Sequence, residues 1–284
     1  MNSKFFHSLY LVSVVAEKEF KDGVRNRWVV AITLMFSLLS IGLSYFGAAA
    51  SGMVGFTSIS TTVVSLASLA VFIIPLIALM LSFDAIVGED ESGTLLLLMT
   101  YPLSRLQLLL GKFLGHGAIM AVATVLGFGS AALVIAVFSP LTAVSDVVEH
   151  FSLFIVSAIL LGWVFVALAY CVSAWVSEKS KAAGIVLVIW MLFVVVFDLA
   201  LLALLVGYEG RLDERVVSTI ILFNPADAFR LLNLMGFDGR QVASGVLSVA
   251  GGAKVGIMGL MSILFAWVVV PFLISYRLFL KRVV

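Results

Sequence analysis

Charge is what this sequence has least of. Asp, Glu, Lys and Arg together make up 12% of its 284 residues, about half the share of a soluble domain. The formal net charge is +1, so the clustered basic surface that nucleic-acid phosphates require is missing and nucleic acid is excluded as a partner. Cysteine is almost absent as well. Cys171 stands alone in an apolar run, which rules out a disulfide within the chain and a cysteine-pair zinc site, and leaves the redox compartment unwritten. No lysine follows the Gly-x-x-x-x-Gly spacing that wraps nucleotide phosphates. There is neither a Gly-x-Ser-x-Gly elbow nor a His-Glu-x-x-His pair. The chain therefore carries no residue set for catalysis, and if ATP drives it, another chain binds the nucleotide.

What fills the sequence instead is apolar: 63% hydrophobic residues and a mean hydropathy of +1.22. A hydrocarbon core about 30 Å thick is crossed by about 20 helical residues. Six windows qualify, approximately 28–48, 63–83, 113–138, 152–176, 184–206 and 256–278. The fold class is accordingly an all-α membrane protein, read as one transmembrane domain over 1–284. Ser8 to Ala16 is too short for the apolar core of a cleavable signal and runs into Glu17-Lys18-Glu19, so the N-terminus reads as retained. Residues 13–27 precede the first span, with Ala16, Phe20, Val24 and Trp28 on one stripe and Lys18, Lys21 and Arg25 off it. This predicts a helix lying in the membrane interface, the alternative being a solvated basic tail.

Lysine and arginine placement sets the expected orientation. Lys4, Lys18, Lys21, Arg25 and Arg27 fall on one side with Arg105, Lys112, Lys179, Lys181, Arg277, Lys281 and Arg282. The short links 47–62 and 139–150 carry none. Both termini and the loop 84–112 are thus expected in the cytoplasm. The long segment 207–255 is expected outside, helical rather than a linker, since Asn224-Pro225-Ala226-Asp227 reads as N-cap, N1 proline and first-turn acid. A second helix is expected over 241–249.

The loop 84–112 is the most charged and turn-rich internal stretch. Glu89, Asp90 and Glu91 place negative charge at the start of a short helix. Leu95 to Met99 give that helix an apolar surface, and Pro102 stops it near Thr100. Ser104 and Gln107 form a capping box for the next helix. A short helix with an exposed apolar face suits a partner's groove, the plain alternative being a turn between two spans.

Glu89-x-x-x-Gly93-Thr94-Leu95, then Tyr101-Pro102-Leu103-Ser104-Arg105 and Gly111-Lys112, resembles the ABC-2 type permease family, and the resemblance covers nearly the whole chain. It implies that the loop is a coupling helix seated on a cytoplasmic ATPase, with Glu89, Asp90, Glu91, Gly93, Thr94, Leu95 and Leu96 as its coupling residues. ATP and Mg then belong to the partner and no cofactor to this chain. Residues 16–28, together with Asn224 to Leu232, resemble the branch of that family whose permeases serve copper-site maturation of nitrous oxide reductase. That branch implies a homodimer, two ATPase subunits inside and a β-helical copper-related protein in the periplasm. Asn224, Pro225, Asp227, Phe229 and Arg230 are then the expected contacts to that outer partner. The broader alternative is an ABC-2 exporter of lipid, drug or polysaccharide.

Asp198 is the acid placed within a span, two thirds of the way outward. It reads either as an interior or dimer-interface residue or as a protonated or snorkelling acid, because no base stands at that depth in the other spans. Asp146, Glu149 and His150 have metal-ligand spacing at a link end, and His116 sits near the inner end of the third span. Both sites read as structural, as do Met120, Met191, Met258 and Met261, and no metal site is expected. The scarcity of polar residues in the spans leaves two mechanisms open: export of a sulfur-containing species, or transmission of force to an outer partner.

Overall fold

The computed structural model describes residues 2–46, 59–138, 143–208, 214–235 and 255–282. They form helices and turns, with no strand among the described residues. The helices are α1 (Asn2–Arg25), α2 (Trp28–Phe46), α3 (Ile59–Ser82), α4 (Val87–Glu91), α5 (Thr94–Thr100), α6 (Arg105–Phe138) and α7 (Val144–Trp175). They continue with α8 (Lys179–Met191), a π-helical turn (Leu192–Val196), α9 (Phe197–Gly207), α10 (Glu214–Leu222), α11 (Pro225–Met235) and α12 (Ile257–Lys281). Six of these stretches are long and apolar enough to cross a membrane, the fifth being α8, the π turn and α9 in continuation. The expected helix over 241–249 lies outside the described residues.

The spans pack where small residues let backbones approach. Gly127 of α6 receives α2, since a Cβ there would stand 2.3 Å from the Phe36 Cβ. Phe36 in turn stacks on Phe128 with ring centroids 4.8 Å apart. The α7 helix is the central post, touching α3, α6, α11 and α12. Pro75 interrupts the hydrogen-bond ladder of α3, and the Trp190 indole of α8 donates to the nearby Phe72 carbonyl at 2.9 Å, meeting one acceptor loosened there.

The α1 helix extends well N-terminal of residue 13 and lies on the first turns of α6. Gly111 and Gly115 form the seat: added Cβ atoms would stand 2.9 Å from the Val12 and Ala16 carbonyl oxygens. Arg27, in the left-handed region at φ 60°, turns the chain from α1 into α2. The face presented to α6 is Val12, Val15, Glu19 and Gly23. Val24 and Trp28, on the stripe expected to lie in the membrane interface, are exposed. The face packed on α6 includes a small residue and an acid, Gly23 and Glu19, and so is a different one from the apolar stripe.

The α10–α11 hairpin does not stand outside the bundle. Its tip, Asn224, donates to the Phe193 carbonyl, fourteen residues from either end of the Lys179–Gly207 stretch, hence about 21 Å of helix from each. The α11 helix then packs among α3, α7 and α12. Its sequence explains this, for Ala226, Ala228, Phe229, Leu231 and Leu232 are buried, and its one polar stripe, Asp227, Arg230 and Asn233, bonds to Asn224, Asp198 and Ser157 within the chain.

Candidate functional site

The loop 84–112 folds into two helices rather than one. Gly93 stands at φ 74° between α4 and α5 and serves as the N-cap of α5, a left-handed backbone that other residues adopt at a cost. Ser92 and Thr94 close the turn, both hydroxyls donating to the Glu89 carbonyl at 3.2 Å. The three acids therefore occupy a turn of their own, separated from the leucines. The expectation that they complement the dipole of the leucine helix is corrected: Gly93 breaks the helix between them.

Each acid is instead tied to a different element. Glu89 pairs with Lys112 of α6 at 2.7 Å, and the same ammonium pairs with Glu19 of α1 at 2.8 Å. Asp90 takes a two-nitrogen contact from Arg282, which follows α12, at 2.6 and 3.0 Å. Glu91 accepts the backbone N–H of Lys179, the first residue of α8, at 2.7 Å. Upstream, Asp84 holds the Lys179 ammonium at 2.6 Å. Ser173 of α7 completes the frame by accepting the Ile86 and Val87 N–H groups at 2.9 and 3.1 Å. Arg282 also donates to the Ser173 carbonyl at 2.8 Å.

The electrostatics are strong because water is thin here. Lys112 is 4% exposed and Glu19 11%. Burial alone would raise the Glu19 carboxyl, but the Lys112 ammonium overrides it and lowers the pKa from 4.5 to about 2. One ammonium serves two carboxylates, and Glu89 Oε2 is buried without a hydrogen-bond partner. Next to this, Arg105 donates to the Phe279, Leu280 and Arg282 carbonyls at 2.6 to 3.0 Å. It thereby satisfies the C-terminal end of α12. The expected capping box is present: Gln107 N–H donates to Ser104 Oγ at 3.2 Å and Ser104 N–H to Gln107 Oε1 at 2.8 Å. The Gln107 amide also reaches Ser8 of α1 at 2.8 Å.

The α5 helix divides into two faces. Leu95 is buried and Leu98 and Met99 pack against the core, whereas Leu96, Leu97 and Tyr101 are 58%, 63% and 63% exposed. Three large apolar side chains thus project from a loop whose other contacts all point inward, the kind of patch that marks an interaction surface. Of the expected coupling residues, Leu96 projects, Gly93 and Thr94 shape the turn, Leu95 is core, and Glu89, Asp90 and Glu91 are tethers.

At the opposite end the expected contact residues are placed differently. Asn224, Pro225, Asp227 and Phe229 are buried within the chain and Arg230 nearly so. Within this chain their side chains face other helices rather than solvent. Asn224 does cap α11, its Oδ1 accepting the Ala226 N–H at 3.0 Å. Arg230 reaches Asp198 at 3.1 Å and Asp227 at 2.9 Å. Asp198 thus has the base that the other spans lack, supplied by a helix dipping between them. His150 lies with Nδ1 2.6 Å from the Asp146 carbonyl, and His116 bonds the Tyr170 hydroxyl at 2.8 Å. Among the described residues no three His, Cys, Asp or Glu side chains gather as metal ligands.

Sequence reasoning missed the partners of the acids, Lys112, Lys179 and Arg282, and the second carboxylate on Lys112, Glu19. The available signal was the coincidence of three consecutive acids at the end of one span with isolated bases at the ends of three others. The Gly111-x-x-x-Gly115 spacing similarly announced the seat of α1.

A family model described as ABC-2 family transporter protein matches residues 13–284. The chain is 53% identical over 268 residues to a probable ABC transporter permease protein, NosY, of Stutzerimonas stutzeri, covering 94% of this chain and 97% of that one. It is also 53% identical over 272 residues to the protein of the same name from Pseudomonas aeruginosa, covering 96% and 98%.

Proposed function

Because the chain belongs to the ABC-2 family of transporter proteins, we propose that it is the membrane-spanning subunit of an ABC transporter and that α5 is where a separate cytoplasmic ATPase seats. The observation that carries this reading is the division of the loop: Leu96, Leu97 and Tyr101 project, while Glu89, Asp90 and Glu91 grip three different elements. A partner pressing on the leucines displaces the ends of α6, α8 and α12 together. The loop and both termini then face the cytoplasm of the inner membrane, and the protein works as a homodimer with two ATPase subunits that bind ATP and Mg. The likeness to proteins named NosY supports a place in copper-site maturation of nitrous oxide reductase, with a β-helical copper-related protein as the periplasmic partner.

Conformational work is the mechanism favoured over a hydrophilic conduit. The charged and larger polar side chains at membrane depth bond within the chain, as in Asp198 with Arg230, Asn233 with Ser157 and His116 with Tyr170. Affinity purification of the tagged chain from native membranes tests the whole assignment. An ATPase and a periplasmic β-helical protein should copurify, and recovery of no ATPase would refute it. ATP-dependent uptake of a sulfur species into sealed inside-out vesicles, with no change at the outer partner, would overturn the preference for conformational work. Uptake of lipid or drug would return the chain to the wider exporter group.

A further inference from the structure

The fifth span is not a continuous α-helix. Between α8 and α9 the turn Leu192–Val196 is π-helical, a local widening that loosens the ladder and recurs at functional positions. The Phe193 ring is wedged between Phe165 of α7 and Trp267 of α12. Its carbonyl, inside the widened turn, accepts the Asn224 amide at 2.8 Å. One turn further along, Asp198 accepts from Arg230 at 3.1 Å, and Arg230 also holds Asp227 at 2.9 Å. Asn224 closes the group by donating to Asp227 at 2.9 Å. All of this sits where the hydrocarbon makes every unpaired polar group costly. At its other end the same span begins on the loop: the Lys179 N–H is held by Glu91 and the Lys179 ammonium by Asp84.

We propose that the fifth span is the rod by which the loop moves the α10–α11 hairpin: Arg230 clasps the hairpin to Asp198 of α9, Asn224 ties its tip to the π turn, and α9 and the hairpin swing as one body about that turn. The proposal rests on the permease reading for its drive and names the route that reading leaves open. The three clasp side chains are positioning residues. Arg230 is the pivotal one, because a single guanidinium neutralises carboxylates from both elements. Asp198, 35% exposed, is thus held by the hairpin rather than by another span. The hinge requires no break in the chain, since a π turn passes a bend along while keeping each backbone group close to a partner.

Pulsed-EPR distances between spin-labelled cysteines test it, with Cys171→Ser as background. Labels replace the exposed residues Val206 of α9, Val216 of α10 and Val148 of α7. In the full chain in lipid nanodiscs, Arg230→Gln should split the narrow Val206–Val216 distribution into more than one population, and Arg230→Lys should restore the single one. In the complex with the copurified ATPase, ATP should shift Val206–Val148 and Val216–Val148 together and leave Val206–Val216 unmoved. Arg230→Gln should retain ATP hydrolysis while the Val216–Val148 shift is lost. An unchanged Val206–Val216 distribution in Arg230→Gln, or a Val206–Val216 shift with ATP as large as the other two in the native chain, would overturn the clasp. Failure of any ATPase to associate sinks the permease reading and the drive with it, and the nanodisc distances still decide whether the hairpin and α9 are one body.

Discussion

Replacing Lys112 by Met removes the one cation shared by α1, α4 and α6. Glu19 and Glu89 then face each other across a space nearly closed to water, since the ammonium that lay 2.8 and 2.7 Å from them is gone. Two independent routes give the size of the effect. The fall of the Glu19 carboxyl from 4.5 to about 2, in which Lys112 is the leading lowering cause and His116 and Lys18 add to it, corresponds to at most about 3 kcal/mol of preferential binding of its charged form. Removing one member of a buried ion pair costs about 3–5 kcal/mol in general. Gly111, Gly115 and Gln107 still hold α1, so the loss falls on how often α1 lifts from α6 rather than on the fold. An opening free energy lower by about 3 kcal/mol makes the amides of α1 exchange about a hundredfold faster. Hydrogen–deuterium exchange on the full chain in nanodiscs reads this directly, with α3 and α7 as internal controls that should not change. The triple variant Lys112→Met, Glu19→Gln, Glu89→Gln should recover most of the protection, because no charge is then left buried. A rise in α1 exchange of less than about threefold, or a triple variant worse than the single, would refute the account of Lys112.

Three further outcomes follow from the same geometry. Because the Glu19 pKa is lowered in the docked state, its contribution is complete above about pH 4.5 and lost as pH falls toward about 2; α1 protection, corrected for intrinsic exchange rates, should be flat from pH 8 to pH 5 and collapse only in strong acid. Gly93→Ala should cost about 1–2 kcal/mol, from the left-handed backbone alone because an added Cβ meets no atom; Gly93→Asn should cost less, and loop exchange and ATP turnover by the complex should rank the variants in that order. Leu97→Asp combined with Tyr101→Asp should abolish ATPase copurification while changing thermal stability by no more than about 0.5 kcal/mol, as exposed positions do; an ATPase that still copurifies would place the docking face elsewhere.

Six spans, the short loop helices and the capping box were legible because each rests on local signals: apolar length, a proline stop, a side chain three residues from its N–H. The cap at Asn224 was legible for the same reason, Asn-Pro-x-Asp being a complete start signal. Partnerships across the chain were not. Asp198 seemed to lack a base because only the other spans were considered, and the hairpin that supplies Arg230 comes from a segment whose short helices fall below membrane-crossing length. The apolar stripe on α1 did not reveal the face packed on α6, because apolarity marks a face that faces something, and lipid is as good a reason as protein. Only Gly111 and Gly115 on the partner helix distinguish the two. The acids of the loop were assigned to a helix dipole for want of the distant bases, since charge pattern within a segment says nothing of a partner 192 residues away, the separation of Asp90 and Arg282.

The tethering of those acids bears on how the loop can act. Had Glu89 contacted the ATPase directly, docking would have to strip it from Lys112, at the cost of about 3–5 kcal/mol that separating a buried pair carries. The exposed leucines need no such exchange, for they gain burial on contact and give up only water. On the proposed docking, binding and transmission therefore use different side chains of one short loop. The binding face can take the partner's load, and the tethers stay made while it is carried. Each tether ends near one end of a span: Lys112 about two turns into α6, Lys179 at the start of α8, Arg282 just beyond α12. A force at such a point acts at the full length of the span. A small displacement of α4 is thereby converted into a tilt at the far end, where α9 carries the hairpin.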